Sequence, residues 1–249
     1  MNMYAVKAAA MVLTMILVPV SAHAAEVTLV ISNAFKAPME DLAPRFEKAS
    51  GHKLVINYGS TNPLRACIEK GEIFDLTILS GAAIDHLIKQ GRLVATTRAV
   101  IARSGMGVAI RKGAPRPNID TTDAFKRALI NAKSIAYMEQ GLTGVYMKEV
   151  FQSLGIAEAL QAKTKYTRAG EAVSEGEAEI GITQISEILP VAGVELAGPL
   201  PADIQRYSIF VAAVGVGAAQ PDAVKGLLKF LVSPEAAKVM KANGLEPPG

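Results

Sequence analysis

The period of the apolar positions changes repeatedly along this chain. "VTLVI" (27–31) is a continuous apolar run of strand length, whereas "APMEDLAPRFEKASG" (37–51) sets Met39, Leu42, Ala43 and Phe46 on one helical face and stops at Ser50-Gly51. The alternation continues with strand "KLVINY" (53–58), helix "PLRACIEKGE" (63–72), strand "FDLTILS" (74–80) and helix "AAIDHLIKQG" (82–91). Strands that alternate with helices in this way predict parallel βαβ units in an α/β fold.

The pattern shifts at "AVIARSGMGVAIRKGAP" (99–115), which is long, β-rich and interrupted by Gly105 and Gly107. A second α/β series follows: helix 122–132, strand "SIAYM" (134–138), helix 144–154, a polar helix near 170–177 and strand "EIGIT" (179–183). "YSIFVAAVGVG" (207–217) is a further long apolar run, and "PDAVKGLLKFLVSPEAAKVMKANG" (221–244) closes with two helices broken at Ser233-Pro234. Two long β segments around an internal α/β block suggest two lobes joined by two chain crossings, near 103–108 and 205–210. One continuous α/β domain fits the pattern as well. In the two-lobe reading, residues 25–105 with 208–249 form lobe 1 and residues 106–207 form lobe 2. Ligand sites commonly lie between such lobes, at the carboxyl ends of strands.

The first residues change the setting of this fold. Lys7 precedes an apolar run from Ala8 to Val20, and Ala22-His23-Ala24 places small residues at the −3 and −1 positions of a cut. Residues 1–24 therefore read as a cleaved secretory signal peptide, with a mature chain in the periplasm. The full chain has 26 basic and 23 acidic residues, and the leader holds one Lys and no acid, leaving 25 basic against 23 acidic, a net +2. With no basic block or basic-aromatic stripe, no nucleic-acid partner is expected. Cys67 is the one cysteine, so no internal disulfide can form, and Trp is absent.

Candidate chemistry is sparse. His52 precedes a strand and His86 lies mid-helix beside Asp85; isolated histidines are more often solvated or packed than catalytic. No G-x-S-x-G elbow, H-E-x-x-H or C-x-x-C occurs, so neither a nucleophilic triad nor a metal site nor a cofactor is expected. Cys67, inside a short helix, reads as a buried inert thiol. "GMGVAI" (105–110) and "GVGAAQ" (215–220) imitate glycine-rich nucleotide loops, but Gln220 replaces the third glycine and Pro221 follows. They mark strand ends or hinge backbone.

Four strand-to-helix turns remain: "SNAFKAP" (32–38), "GSTNPL" (59–64), "EQGLTGVY" (139–146) and "TQISEI" (183–188). A helix start presents unpaired N–H groups and about half a positive charge, so converging starts bind an anion without Lys or Arg. Each turn taken singly reads as ordinary capping, with Thr61 or Asn62 as N-cap and Pro63 first in its helix. The set of four, two in each lobe, points to a site. Arg168 in "YTRAG" reads as a solvated loop charge or, turned inward, as a carboxylate partner.

At these residues the chain resembles the periplasmic molybdate-binding proteins of ABC importers. The likeness is carried by "VTLVISNAF", "FEKASGHKLVINYGSTNPLRACIEKGEIFDLTILS", "GVYMKEVFQSLG" and "FLVSPEAAKVMKANGL". The resemblance implies the two-lobed class II periplasmic binding-protein fold, each lobe a mostly parallel sheet flanked by helices. It also implies an oxyanion held by serine hydroxyls, backbone amides and a tyrosine hydroxyl. By position, the first-turn serine falls at Ala34, with Ser32 and Asn33 before it, and the second-turn serine at Ser60 or Thr61. The backbone-amide position falls at Thr143 beside Gly144, and the tyrosine at Gln184. Two of the family's hydroxyl donors are thus replaced. The implied contacts are Asn33, the Ala34 amide, Ser60, Thr61, Thr143 and Gln184.

The resulting expectation is a monomeric, non-enzymatic solute-binding protein that captures a small anion and delivers it to an inner-membrane ABC permease. The anion is a molybdate- or tungstate-like oxyanion or a small carboxylate. A periplasmic sensor signalling to a membrane receptor is the alternative, and an exported hydrolase lacks a Ser-His-acid set to support it.

Overall fold

A computed structural model describes residues 24–247; the expected leader lies almost wholly outside the described residues. The chain begins β1 (Glu26–Ser32), a 3-10 turn (Asn33–Phe35), α1 (Lys36–Ser50), β2 (Lys53–Gly59), α2 (Thr61–Glu69), β3 (Leu76–Ser80), α3 (Gly81–Lys89) and β4 (Ala99–Arg111). α1 buries Met39, Leu42 and Phe46 at the predicted spacing, and Gly51 ends it with φ 75°, a left-handed conformation that a Cβ would strain. β1 pairs in parallel with β2 from Glu26 opposite Lys53 to Ser32 opposite Gly59. That register brings the turn after β1 beside the turn after β2. Phe35 anchors the first of these turns, fully buried and edge-on to Phe210 with ring centroids 5.3 Å apart. Burying such a side chain contributes about 1.5–3 kcal/mol.

The second series comprises α4 (Thr122–Asn131), β5 (Ile135–Ala136), α5 (Leu142–Ser153), α6 (Ala157–Gln161), β6 (Thr164–Lys165), α7 (Ala169–Ser174), β7 (Ile180–Gln184), α8 (Ile185–Ile188) and β8 (Val194–Pro199). β9 (Tyr207–Val214), α9 (Pro221–Leu231) and α10 (Pro234–Ala242) return to the first series. The strands follow the order β2-β1-β3-β9-β4-β7-β5-β6, with β8 on β4. β1–β2–β3 and β6–β5–β7 are the parallel units, and the long antiparallel pair β4 and β9 lies between them.

β4 is the strand that joins the two lobes. Its residues Ala99–Gly105 pair with β9, whereas Met106–Ala109 pair with β7 and Gly107–Arg111 with β8. Each lobe has its own core. Phe35, Met39, Leu42 and Phe210 belong to the first, and Phe125, Leu129, Met147 and Phe151 to the second. Gly107 and Gly215 serve close packing: a Cβ at Gly107 would sit 2.7 Å from a Leu196 methyl, and one at Gly215 2.5 Å from the Phe74 carbonyl oxygen.

The structure departs from two sequence expectations. Cys67 is exposed rather than buried, because α2 turns its Thr61-Leu64-Ile68 stripe inward and Cys67 lies off that face. α2 begins at Thr61, with Ser60 in the N-cap position, so neither Thr61 nor Asn62 is the cap and Pro63 is the third helical residue. Proline is tolerated there because the first-turn N–H groups have no intrahelical acceptor.

Candidate ligand-binding cleft

A cavity of about 330 Å³ opens between the lobes, and all six residues expected from sequence, Asn33, Ala34, Ser60, Thr61, Thr143 and Gln184, lie on its wall. The strand-to-helix turns bring them there. Ser60 caps α2 by position but makes no capping bond through its side chain, which leaves its hydroxyl free for the cavity. Thr61 is only 2% exposed. Across the cleft, α5 starts after Gly141 with no side-chain cap, and Thr143 is its second residue. Gly144 explains how this start is made: a Cβ there would sit 2.3 Å from the carbonyl oxygens of both Met138 and Glu139. Only glycine lets the preceding loop fold back so closely over the helix.

The first turn behaves differently. The Ala34 amide, expected to face a ligand, donates to Ser32 Oγ at 3.4 Å. That long bond is at the weak end of the range, so Ser32 acts as a local cap that a stronger acceptor can replace.

Three buried polar atoms on this wall have no hydrogen-bond partner: Thr61 Oγ1 from lobe 1, and Gln184 Oε1 and Ser186 Oγ from lobe 2. Leaving such a group unpaired costs about 1–3 kcal/mol. A ligand that supplies partners recovers this cost, and it does so only by touching both lobes. Gln184 Nε2 donates to Ser208 Oγ at 3.0 Å. A half-turn of the amide exchanges its two ends, so Gln184 can offer the cavity an acceptor or a donor while the Ser208 hydroxyl adapts.

The charged side chains on the wall are Lys36, Glu40, Arg168, Glu171 and Glu187. Arg168 pairs with Glu171 at 2.9 Å across one helical turn. Glu187 accepts a hydrogen bond from Thr183 Oγ1. Burial pushes the Glu187 carboxyl above the ordinary carboxylate range, and Glu171 adds to the rise. The Thr183 hydroxyl and the Arg168 charge oppose it. Asn62 Nδ2 donates to the Gln140 carbonyl at 3.1 Å and ties the α2 start to the loop before α5.

Sequence reasoning missed Ser186, Glu187 and the start of α7 at Ala169-Gly170, all on the same wall. The signal was present in "TQISEI", where a hydroxyl and a carboxylate follow Gln184 within one turn. An acid in a first helical turn ordinarily reads as a complement to the helix dipole. Among the described residues no group of three or more His, Cys, Asp or Glu side chains could hold a metal ion, and no helix is long and apolar enough to cross a membrane.

Two lobes joined through a shared strand, with a cleft at the carboxyl ends of their strands, make the class II periplasmic-binding-protein fold. Residues 27–246 match the bacterial extracellular solute-binding protein family, and this chain belongs to it. The chain is 31% identical over 229 residues to a protein named aconitate isomerase from a Pseudomonas species, covering 88% of this chain and 87% of that protein. It is 28% identical over 236 residues to the molybdate-binding protein ModA of Azotobacter vinelandii, covering 90% and 91%. Among solved structures, the periplasmic molybdate-binding protein of Azotobacter vinelandii superposes with a TM-score of 0.74 at 22% identity, covering 90% of this chain and all of that one. The chain is thus a bacterial extracellular solute-binding protein that is similar along most of its length to molybdate-binding proteins.

Proposed function

We propose that this protein is exported to the periplasm, where it closes two lobes on a small carboxylate-bearing anion and presents it to an ABC permease. One observation carries the reading: unpartnered buried polar atoms from both lobes face one cavity. Ligand contact with both lobes is what favours a closed state. At about 330 Å³ the cavity lies at the small end of the range for small-molecule pockets, roughly 300–1,000 Å³, and is roomy for a bare tetrahedral oxyanion. Lys36 and Arg168 on its wall suit a ligand with more than one carboxylate. The division of the lobes at 25–105 with 208–249 and at 106–207 belongs to this reading; the change of partner along β4 supports it. Thermal-shift and calorimetric titration with molybdate, tungstate, sulfate and a panel of di- and tricarboxylates tests it. A tricarboxylate is expected to raise the melting temperature most, since binding stabilises by RT ln(1 + [L]/Kd). No shift with any small anion would overturn it.

A second reading has its own support. Glu187 places a carboxyl, held towards its protonated form, on the wall of an anion cavity, and the relative named aconitate isomerase is similar over 88% of this chain. In this reading the cleft interconverts the cis and trans forms of an unsaturated tricarboxylate such as aconitate, propene-1,2,3-tricarboxylate. Proton NMR of either isomer with the purified protein tests it, since their vinyl signals differ.

A further inference from the structure

Resting on the isomerase reading, we propose that Glu187 is the catalytic base of the cleft, taking a proton from the methylene carbon of a bound unsaturated polycarboxylate and returning it to the far carbon of the same allylic system.

The wall of the cleft carries a mismatch. A cleft that only holds an anion is weakened by every carboxylate on its wall. Two of the wall carboxylates are accounted for: Glu40 is exposed at the rim, and Glu171 is paired with Arg168 at 2.9 Å. Glu187 is partly buried, and its hydrogen bond comes from the neutral Thr183 hydroxyl. That bond fixes the side chain without cancelling its charge, the arrangement a base needs if it is to be oriented and still reactive.

Position agrees with this role. Glu187 lies on α8 one turn beyond Gln184 and next to Ser186, whose buried hydroxyl has no partner and faces the same space. Around the carboxyl stand Thr183 on β7, Arg168 at the start of α7 and Glu171 within it, with Lys36 and Glu40 on α1 across the cleft. Burial raises the carboxyl's proton affinity, which moves it towards the neutral range where a general base works best.

The chemistry closes on itself. The methylene carbon between a C=C bond and a carboxylate loses its proton to a Glu187 oxygen, and the C–H electron pair spreads over the three allylic carbons into the conjugated carboxylate. Added charge on that carboxylate is met by Lys36, Arg168 and the Thr61 hydroxyl. Glu187 then gives the same proton to the opposite allylic carbon, the double bond moves by one carbon, and its geometry is set anew. No oxidant, reductant or second substrate is consumed, and Glu187 ends as the carboxylate it began.

The test uses the full mature chain with cis- and trans-propene-1,2,3-tricarboxylate, followed by NMR, alongside Glu187→Gln and Glu187→Asp. Glu187→Gln is expected to keep the Thr183 bond and the ligand-induced thermal shift but to lower kcat by about 100- to 10,000-fold. Glu187→Asp is expected to retain partial turnover with its pH–rate limb displaced. A Glu187→Gln kcat within tenfold of wild type overturns the assignment while leaving an isomerase. Absence of turnover by wild type, with its melting temperature raised by the same compound, removes the isomerase reading and this base with it, and leaves the receptor standing.

Discussion

Asn62 and Gln140 face each other across the cleft, the Asn62 amide donating to the Gln140 carbonyl at 3.1 Å. One residue belongs to the first turn of α2 and the other to the loop before α5, so the bond fastens two helix starts that line the cavity. It is a solvent-exposed bond, worth about 0.5–1 kcal/mol net. Asn62→Ala should therefore release a bound polycarboxylate about two- to fivefold faster, read by stopped-flow fluorescence or displacement. Equal release rates would show that the bond does not report on closure.

Thr61→Val removes a buried oxygen that has no partner and keeps the branched shape. Ligand-free stability should hold or rise by up to about 1 kcal/mol in urea denaturation, while affinity for a carboxylate that binds the wild type, as proposed above, drops about tenfold in calorimetry. If stability and affinity fall together, Thr61 is a packing residue.

Asp75 comes from the "GEIFDL" stretch that carries part of the family likeness, yet its work is structural. It is 4% exposed, and its carboxylate accepts from Thr28 N at 2.8 Å, Ala219 N at 2.7 Å and Gln220 N at 3.1 Å. These bonds fasten β1 and the start of α9 to β3. Asp75→Ala strands three backbone donors and should cost about 3–5 kcal/mol of unfolding free energy. A loss below about 1 kcal/mol in guanidinium titration would refute this account.

Glu187 also predicts a pH dependence of stability. Its folded pKa is raised above the ordinary 4.5, mainly by burial. The native chain therefore holds this proton more tightly than the unfolded chain does. The associated stability is fully present below about pH 4.5 and is lost as pH climbs through the folded value. Glu187→Gln should flatten that decline in urea midpoints measured upward from pH 4, and parallel curves for the two proteins would contradict it.

How far the sequence could be read depended on whether one force dominated each position. β1, α1 and the break at Ser233-Pro234 follow from period and capping, and Ser233 Oγ does accept from Ala236 N at 3.2 Å. At α2 two signals competed. Asn62-Pro63 reads as a helix start, but proline is tolerated throughout the first turn, and the chain enters the helix earlier, at Thr61. α8 has only four residues, too few to display a period, so Ser186 and Glu187 could not be placed on a face from the sequence. Cys67 shows the same limit: an interior position in a nine-residue helix does not say which side meets the core.

β4 has one further consequence. A thirteen-residue strand carries both halves of the sheet, with register shifts between Val100 and Ala102 and between Val108 and Ala109. Any rotation of one lobe against the other would have to twist this ribbon, much as a torsion bar yields, and the shifts at Val100/Ala102 towards β9 and Val108/Ala109 towards β8 mark where its ladders are irregular. Stiffness in that ribbon would set the resting gape of the cleft before any solute arrives, making the rotation of β4 a mechanical setting distinct from the chemistry of the wall.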